Sequence, residues 1–140
     1  MKSIAVSFAY ITRKDATEPA RILLACTQAC DVLSAIVKTW PAIASQPEVF
    51  NVNIPLSLEP CSKVVLTKFH RGGYSSLFKM GLEPAQFVFS PTFHVEDVEH
   101  GSDLWAIKNN FISVTPMNAA FHIGDPDLAG IEEKLLVHLK

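Results

Sequence analysis

The period of the hydrophobic positions changes several times along the chain, and each period predicts an element. Residues 3–10 are almost continuously apolar, running Ile4, Ala5, Val6, Phe8, Ala9 and Tyr10 with only Ser7 between. A strand buried on both faces of a parallel sheet reads this way, whereas a strand with one wet face alternates. After a polar stretch the spacing becomes helical. Ile22, Cys26, Ala29, Cys30, Leu33, Ile36, Val37 and Trp40 recur three or four residues apart and make one apolar face. Thr17-Glu18-Pro19 starts this helix with a hydroxyl cap, an acidic first turn and a proline whose missing N–H costs nothing there. Pro41 ends it. Residues 49–54 alternate Val49, Asn51, Asn53 against Phe50, Val52, Ile54, a strand closed by Pro55. Residues 62–69 read as another strand, with Val64, Leu66 and Lys68 opposite Val65, Thr67 and Phe69. Residues 86–93 alternate Phe87 and Phe89 with Val88 and Ser90 before meeting Pro91.

Residues 101–117 compress three elements into one stretch. Gly101-Ser102-Asp103 is a turn with two helix-capping side chains. Residues 104–109 are long enough for one or two helical turns, which would carry Trp105 and Ile107 into a core. Asn109-Asn110 suits a helix-to-strand reversal, because Asn tolerates the left-handed region. Phe111, Ile112, Val114 and Thr115 are β-formers, and Pro116 is expected to stop the ladder. Near the end, Asp125-Pro126 is a cap and first-turn proline. Leu128, Ile131, Leu135 and Leu139, with Leu136, form an apolar stripe on a terminal helix. The stripe is too apolar for a free tail and implies an association surface. The elements together predict one α/β domain over residues 1–140: part of a Rossmann-like sheet, a β-rich arm and a terminal helix.

Composition narrows the classes. Hydrophobic residues make up 49% of the chain and charged residues only 19%, a high ratio for a soluble domain. One explanation is an apolar face that something outside this chain covers. A formal net charge of −2 gives no reason to expect nucleic acid or an anionic membrane. No run approaches the roughly 20 apolar residues of a membrane span. Three cysteines at this spacing suggest no disulfide framework. Reduced thiols and a cytoplasmic location are expected. Lys2 and the apolar run after it resemble a signal peptide only faintly, since Thr12-Arg13-Lys14-Asp15 stands where a small-residue cleavage site would be.

Candidate chemistry is sparse. Cys26 and Cys30 read as core thiols, since no further metal partners lie near them. His70-Arg71-Gly72-Gly73-Tyr74 is a basic, glycine-rich turn, and Arg71, Gly72 and Gly73 could approach a phosphate. It lacks P-loop spacing, and a plain turn is the competing reading. Asn51 and Asn53 read as the polar side of a strand. His94, Glu96, Asp97, Glu99 and His100 have no converging ligand spacing and read as a solvated loop. There is no Gly-x-Ser-x-Gly elbow and no redox Cys-x-x-Cys.

Three segments, in order, resemble the SurE family of metal-dependent phosphatases acting on nucleoside monophosphates. Gly101, Asp103, Trp105, Ala106, Ser113, Thr115 and Pro116 match its closing motif of Gly-Thr-Asp, an aromatic, Ala, and a strand ending Ser-x-Thr-Pro-Leu. Ser102 stands for the Thr, Met117 for the Leu, and Asn110 for the usual Gly. Ile4-Ala5-Val6-Ser7 resembles the family's buried strand, and Phe50-Asn51-Val52-Asn53-Ile54-Pro55 its Leu-Asn-Val-Asn-x-Pro strand. The wording is closest to the eukaryotic branch. The resemblance implies a β arm over residues 86–93 used for subunit contact and a C-terminal helix packed on a neighbouring subunit. Many relatives carry an Asp where this chain has Ala120.

The departures matter equally. The family binds its divalent metal, Mg or Mn, through an Asn-Asp-Asp-Gly motif, near a Ser-Gly-Thr turn, and neither occurs here. The resemblance therefore implies the C-terminal half of a SurE-like domain, beginning at an internal Met and binding no metal by itself. Ser102 and Asp103 are its candidate site residues, on the substrate side. The expected partners are a phosphomonoester or nucleoside monophosphate in the parent domain, and either further copies of the chain or the missing half. Without that half, the chain is expected to assemble through an open strand edge. A non-catalytic oligomerisation module and an unrelated small α/β binding domain are the alternatives.

Overall fold

A computed structural model describes residues 2–9, 15–43, 47–70, 74–81, 83, 86–93, 98–118 and 128–137. The predicted apolar run forms β1 (Ser3–Ala9). The helical stretch forms α1 (Pro19–Thr39), continued by a 3-10 turn at Trp40–Ala42. Then come β2 (Val49–Pro55), β3 (Val64–Leu66), β4 (Tyr74–Met80), β5 (Phe87–Phe93), α2 (Asp103–Lys108), β6 (Ile112–Met117) and α3 (Leu128–Val137). Four strands make a mixed sheet in the order β1-β2-β6-β3, and β4 and β5 pair separately as an antiparallel ribbon. β1 runs parallel to β2, β2 antiparallel to β6, and β3 parallel to β6. The fold is the α/β architecture that the alternating periods predicted.

The sheet has one apolar and one polar face, and alternation decides which residue goes where. Ile4, Val6 and Phe8 stand in register with Phe50, Val52 and Ile54. Phe50, Val52 and Ile54 are fully buried and form the core with Val114, Ile112, Ala25, Ala29, Val32 and Ile36 of α1, and Ile131 and Leu135 of α3. Each of the Val, Leu, Ile and Phe side chains among them contributes about 1.5–3 kcal/mol on leaving water. Trp40 closes one end, edge-on to Phe50 with ring centroids 4.8 Å apart, its indole N–H donating to the Pro47 carbonyl at 2.9 Å.

Several elements depart from expectation for identifiable reasons. Among the described residues β1 pairs with β2 alone, at the edge of the sheet, and it is largely exposed, not interior. Within α1 the buried stripe is Ala25, Ala29, Val32 and Ile36, while Ile22, Cys26, Cys30 and Val37 face outward. Two apolar stripes one residue out of phase look like a single face in the sequence. Cys26 and Cys30 are thus exposed, not core thiols. α1 and its 3-10 turn, Pro19–Ala42, are also long and apolar enough by length and composition to cross a membrane, contrary to the sequence estimate. The start of α1 is capped by Glu18, which makes no side-chain cap bond but pairs with Arg21 at 2.7 Å; Thr17 belongs to a preceding 3-10 turn at Asp15–Thr17.

Pro116 lies inside β6 and pairs with Phe50. Thr67 N–H donates to the Val114 carbonyl at 3.0 Å, so that edge of β6 faces β3. In an extended strand the nitrogen two residues on points the same way. Pro116 therefore places its missing N–H beyond the end of β3, and the ladder to β2 continues to Met117. Of residues 62–69 only Val64–Leu66 is strand, and β4 was not anticipated at all. Ile131 and Leu135 of α3 are buried in this chain's own core, with the Thr39 hydroxyl donating to the Lys134 carbonyl at 3.4 Å. Of the described stripe, Ile131 and Leu135 therefore face this chain's own core, while Leu136 is exposed. Asp125-Pro126 and Leu139 lie outside the described residues.

Candidate functional site

The turn before α2 is built by its own side chains. Gly101 adopts φ +81°, a conformation side-chain-bearing residues avoid. Ser102 is fully buried, and its hydroxyl accepts the Trp105 N–H at 3.2 Å, capping α2. Asp103 Oδ1 accepts two backbone N–H groups at 2.8 Å, from Leu104 and from His70. The backbone locks the same junction: Lys68 N–H donates to Gly101 O at 3.0 Å and Asp103 N–H to Lys68 O at 2.9 Å. The far end of α2 is equally specified. Asn110 takes φ 56°, its N–H donates to Ile107 O, and Phe111 N–H donates to Ala106 O. This is the Schellman arrangement, with Asn where glycine is usual. Ala106, not Trp105 or Ile107, is the residue α2 buries. Trp105 instead lies between the rings of His100, 4.3 Å away, and Phe111, 5.6 Å away.

Beside this turn the polar face of the sheet carries a hydroxyl cluster. Thr67 Oγ1 lies 2.7 Å from both Ser113 Oγ and Thr115 Oγ1, and all three residues are buried. Ser113 and Thr115 stand in register with Asn53 and Asn51 of β2, which in turn face Ser7 and Ala5 of β1. The half-buried Asn51 and Asn53 thus share one face with the cluster. Thr67 is the residue sequence reasoning missed. Its only signal was its place opposite Lys68 in an alternating run.

The structure joins two candidates that lie far apart in sequence. Asp103 holds the backbone of His70, the residue immediately before Arg71-Gly72-Gly73. Those three residues lie outside the described ones, as do His94, Glu96, Asp97 and Ala120. The Nδ1 of His70 is buried without a hydrogen-bond partner among the described residues. Ser102 is buried, and its hydroxyl serves as the cap of α2.

A divalent cation such as Mg or Mn takes oxygen ligands, anchored by carboxylates. At this turn Asp103 supplies one carboxylate, and its Oδ1 is already committed to two N–H groups. No group of three or more His, Cys, Asp or Glu side chains comes together among the described residues. The described residues do not fit such an ion.

No family model matches the chain, and no curated protein matches it. Among solved structures, the SurE protein from Aquifex aeolicus is similar, with a TM-score of 0.56 at 19% identity over 86% of this chain and 46% of that one. The fold is SurE-like. The chain spans under half the length of that protein. The three segments that resemble the family in sequence form β1, β2 and β6, which are adjacent in the sheet.

Proposed function

We propose that this chain is the C-terminal part of a SurE-like metal-dependent phosphatase, hydrolysing phosphomonoesters of the nucleoside monophosphate type, and that it is inactive by itself. The observation that carries this reading is the convergence of the three resembling segments on three neighbouring strands of a SurE-like sheet, with Asp103 bracing the turn before Arg71-Gly72-Gly73. In this reading Arg71, Gly72 and Gly73 lie on the phosphate side and Asp103 is a positioning residue. A divalent metal, Mg or Mn, would be held by an Asn-Asp-Asp-Gly motif outside this chain and would supply the orientation of the phosphate and the activation of water. A cytoplasmic setting accords with three unpaired thiols.

The test is hydrolysis of a generic phosphomonoester with Mg²⁺ or Mn²⁺. The purified chain is expected to show no EDTA-sensitive turnover, and co-expression with a SurE-like N-terminal half is expected to restore it. EDTA-sensitive turnover by the chain alone would overturn the reading. A non-catalytic interaction module is the second reading, favoured by the exposure of β1. It gains if the added half restores nothing.

A further inference from the structure

The outward face of α1 carries a pair of thiols. Cys26 and Cys30 are both exposed, on a helix of 21 residues from Pro19 to Thr39. Residues four apart on a helix are neighbours, with Cβ atoms about 5–6 Å apart. Helical side chains lean toward the N-terminus, so the thiol of Cys30 reaches back over the turn that carries Cys26. The helix backbone fixes this spacing, and it stays the same whatever covers the face. A disulfide needs its Cβ atoms about 3.5–4.5 Å apart, so the pair cannot close on itself while α1 stays helical. Neither thiol makes a hydrogen bond among the described residues. Thr27, between them, donates its hydroxyl to the Leu23 carbonyl at 2.9 Å. Cys61 is not a third member. The side-chain amide of Gln28 exchanges hydrogen bonds with the Cys61 backbone at 3.5 and 3.4 Å. Gln28 is two residues from each exposed thiol, and so about 200° round the helix from both.

We propose that Cys26 and Cys30 form a binding site for a soft, two-coordinate cation, cuprous copper. Thiolate sulfur selects Cu(I) over hard ions. Each thiol gives up its proton and forms one metal–sulfur bond. Two protons leave, one monovalent ion enters, and the site ends with one net negative charge. Copper enters as Cu(I), so no oxidation or reduction is involved. The surroundings set the coordination number. Ile22, Leu33 and Val37, the next positions along the same stripe, are aliphatic, and Ser34, one turn beyond Cys30, offers only a hydroxyl. No group of three or more His, Cys, Asp or Glu side chains comes together among the described residues. An ion that needs four ligands, as structural zinc does, is therefore left two short. A cuprous ion is complete with two sulfurs in line. Mg and Mn prefer oxygen ligands and do not compete for two thiolates. The inference rests on the geometry of α1 and does not depend on the phosphatase reading.

Anaerobic titration of the reduced chain with Cu(I), in competition with the chromophoric chelator bicinchoninate, tests it. The wild-type chain should withdraw one copper per chain. X-ray absorption should then show two sulfur neighbours and no nitrogen or oxygen. Cys26→Ser and Cys30→Ser should each lose the copper to the chelator while keeping the wild-type circular dichroism, and Cys61→Ser should bind as the wild type does. Moving the pair tests the spacing, since Ser34 is exposed on the same helix. Cys26→Ser combined with Ser34→Cys leaves two thiols one turn apart and should restore binding, which also shows that the substituted helix is folded. Cys30→Ser combined with Ser34→Cys leaves them two turns apart and should not. Copper retained by either single variant, one copper shared between two chains, or a requirement for Cys61 would each overturn the proposal. So would failure of the moved pair to bind, or displacement of the copper by equimolar Zn(II).

Discussion

Asp103 shows how one side chain serves both local and distant structure. Its Oδ1 caps Leu104 and holds His70, 33 positions away in sequence. Asp103→Ala should lower stability by about 1.5–3 kcal/mol, the range for hydrogen bonds to a charged group, read from urea unfolding. Asp103→Asn keeps an acceptor and should cost less. Thr67→Val should cost about 1–3 kcal/mol, since it leaves the Ser113 and Thr115 hydroxyls buried without their common partner. Cys61 adds a pH signature. Burial pushes its thiol above the ordinary value of 9.0, partly offset by a backbone hydrogen bond. A group whose folded pKa is raised contributes stability that is complete below its unfolded pKa and is lost as pH rises toward the folded one. Stability should therefore decline above about pH 9, and Cys61→Ala should reduce that decline in unfolding experiments across the alkaline range.

At the scale of elements, both apolar helices contribute to the core. Ile131 and Leu135 of α3 are buried within the chain, so Ile131→Ala should cost about 2–5 kcal/mol and lower the thermal midpoint. The outward stripe of α1 contributes little inside one chain. Val37→Lys, at 60% exposure, should change unfolding free energy by no more than about 0.5 kcal/mol. The end of α2 gives a backbone test. Asn110 sits at φ 56°, so Asn110→Gly should be neutral or slightly stabilising. Asn110→Val should cost about 1–2 kcal/mol, the penalty of the left-handed region. Comparing denaturant midpoints of the two variants separates backbone strain from loss of the side-chain bond to Pro60 O.

For the whole molecule, burial falls from the centre of the sheet to β1. Among the described residues β2 and β6 each have a strand on both sides, whereas β1 pairs with β2 alone. Amide exchange should follow this gradient. Amides of Phe50, Val52 and Val114 should exchange only on global unfolding, while the outward amides of β1 should exchange orders of magnitude faster in dilute solution. Hydrogen exchange followed by mass spectrometry measures this gradient.

What the sequence determined is whatever depends on short-range periodicity. The alternation from Val49 to Ile54 specified β2 and its buried row. The Gly101-Ser102-Asp103 turn specified its own capping. Asn109-Asn110 specified the reversal after α2, because these are local torsional and hydrogen-bond preferences. What only the tertiary structure decided is which apolar surfaces meet. A run such as β1 reads the same at the centre of a sheet or at its edge, because neighbours are not encoded in a strand's own pattern. The face of α1 was ambiguous because two apolar stripes lie a fraction of a turn apart and only packing chooses between them. Thr67, Ser113 and Thr115 became one cluster, and Asp103 met His70, through strand pairings across more than thirty residues. Such long-range contacts leave no trace in the spacing of either partner.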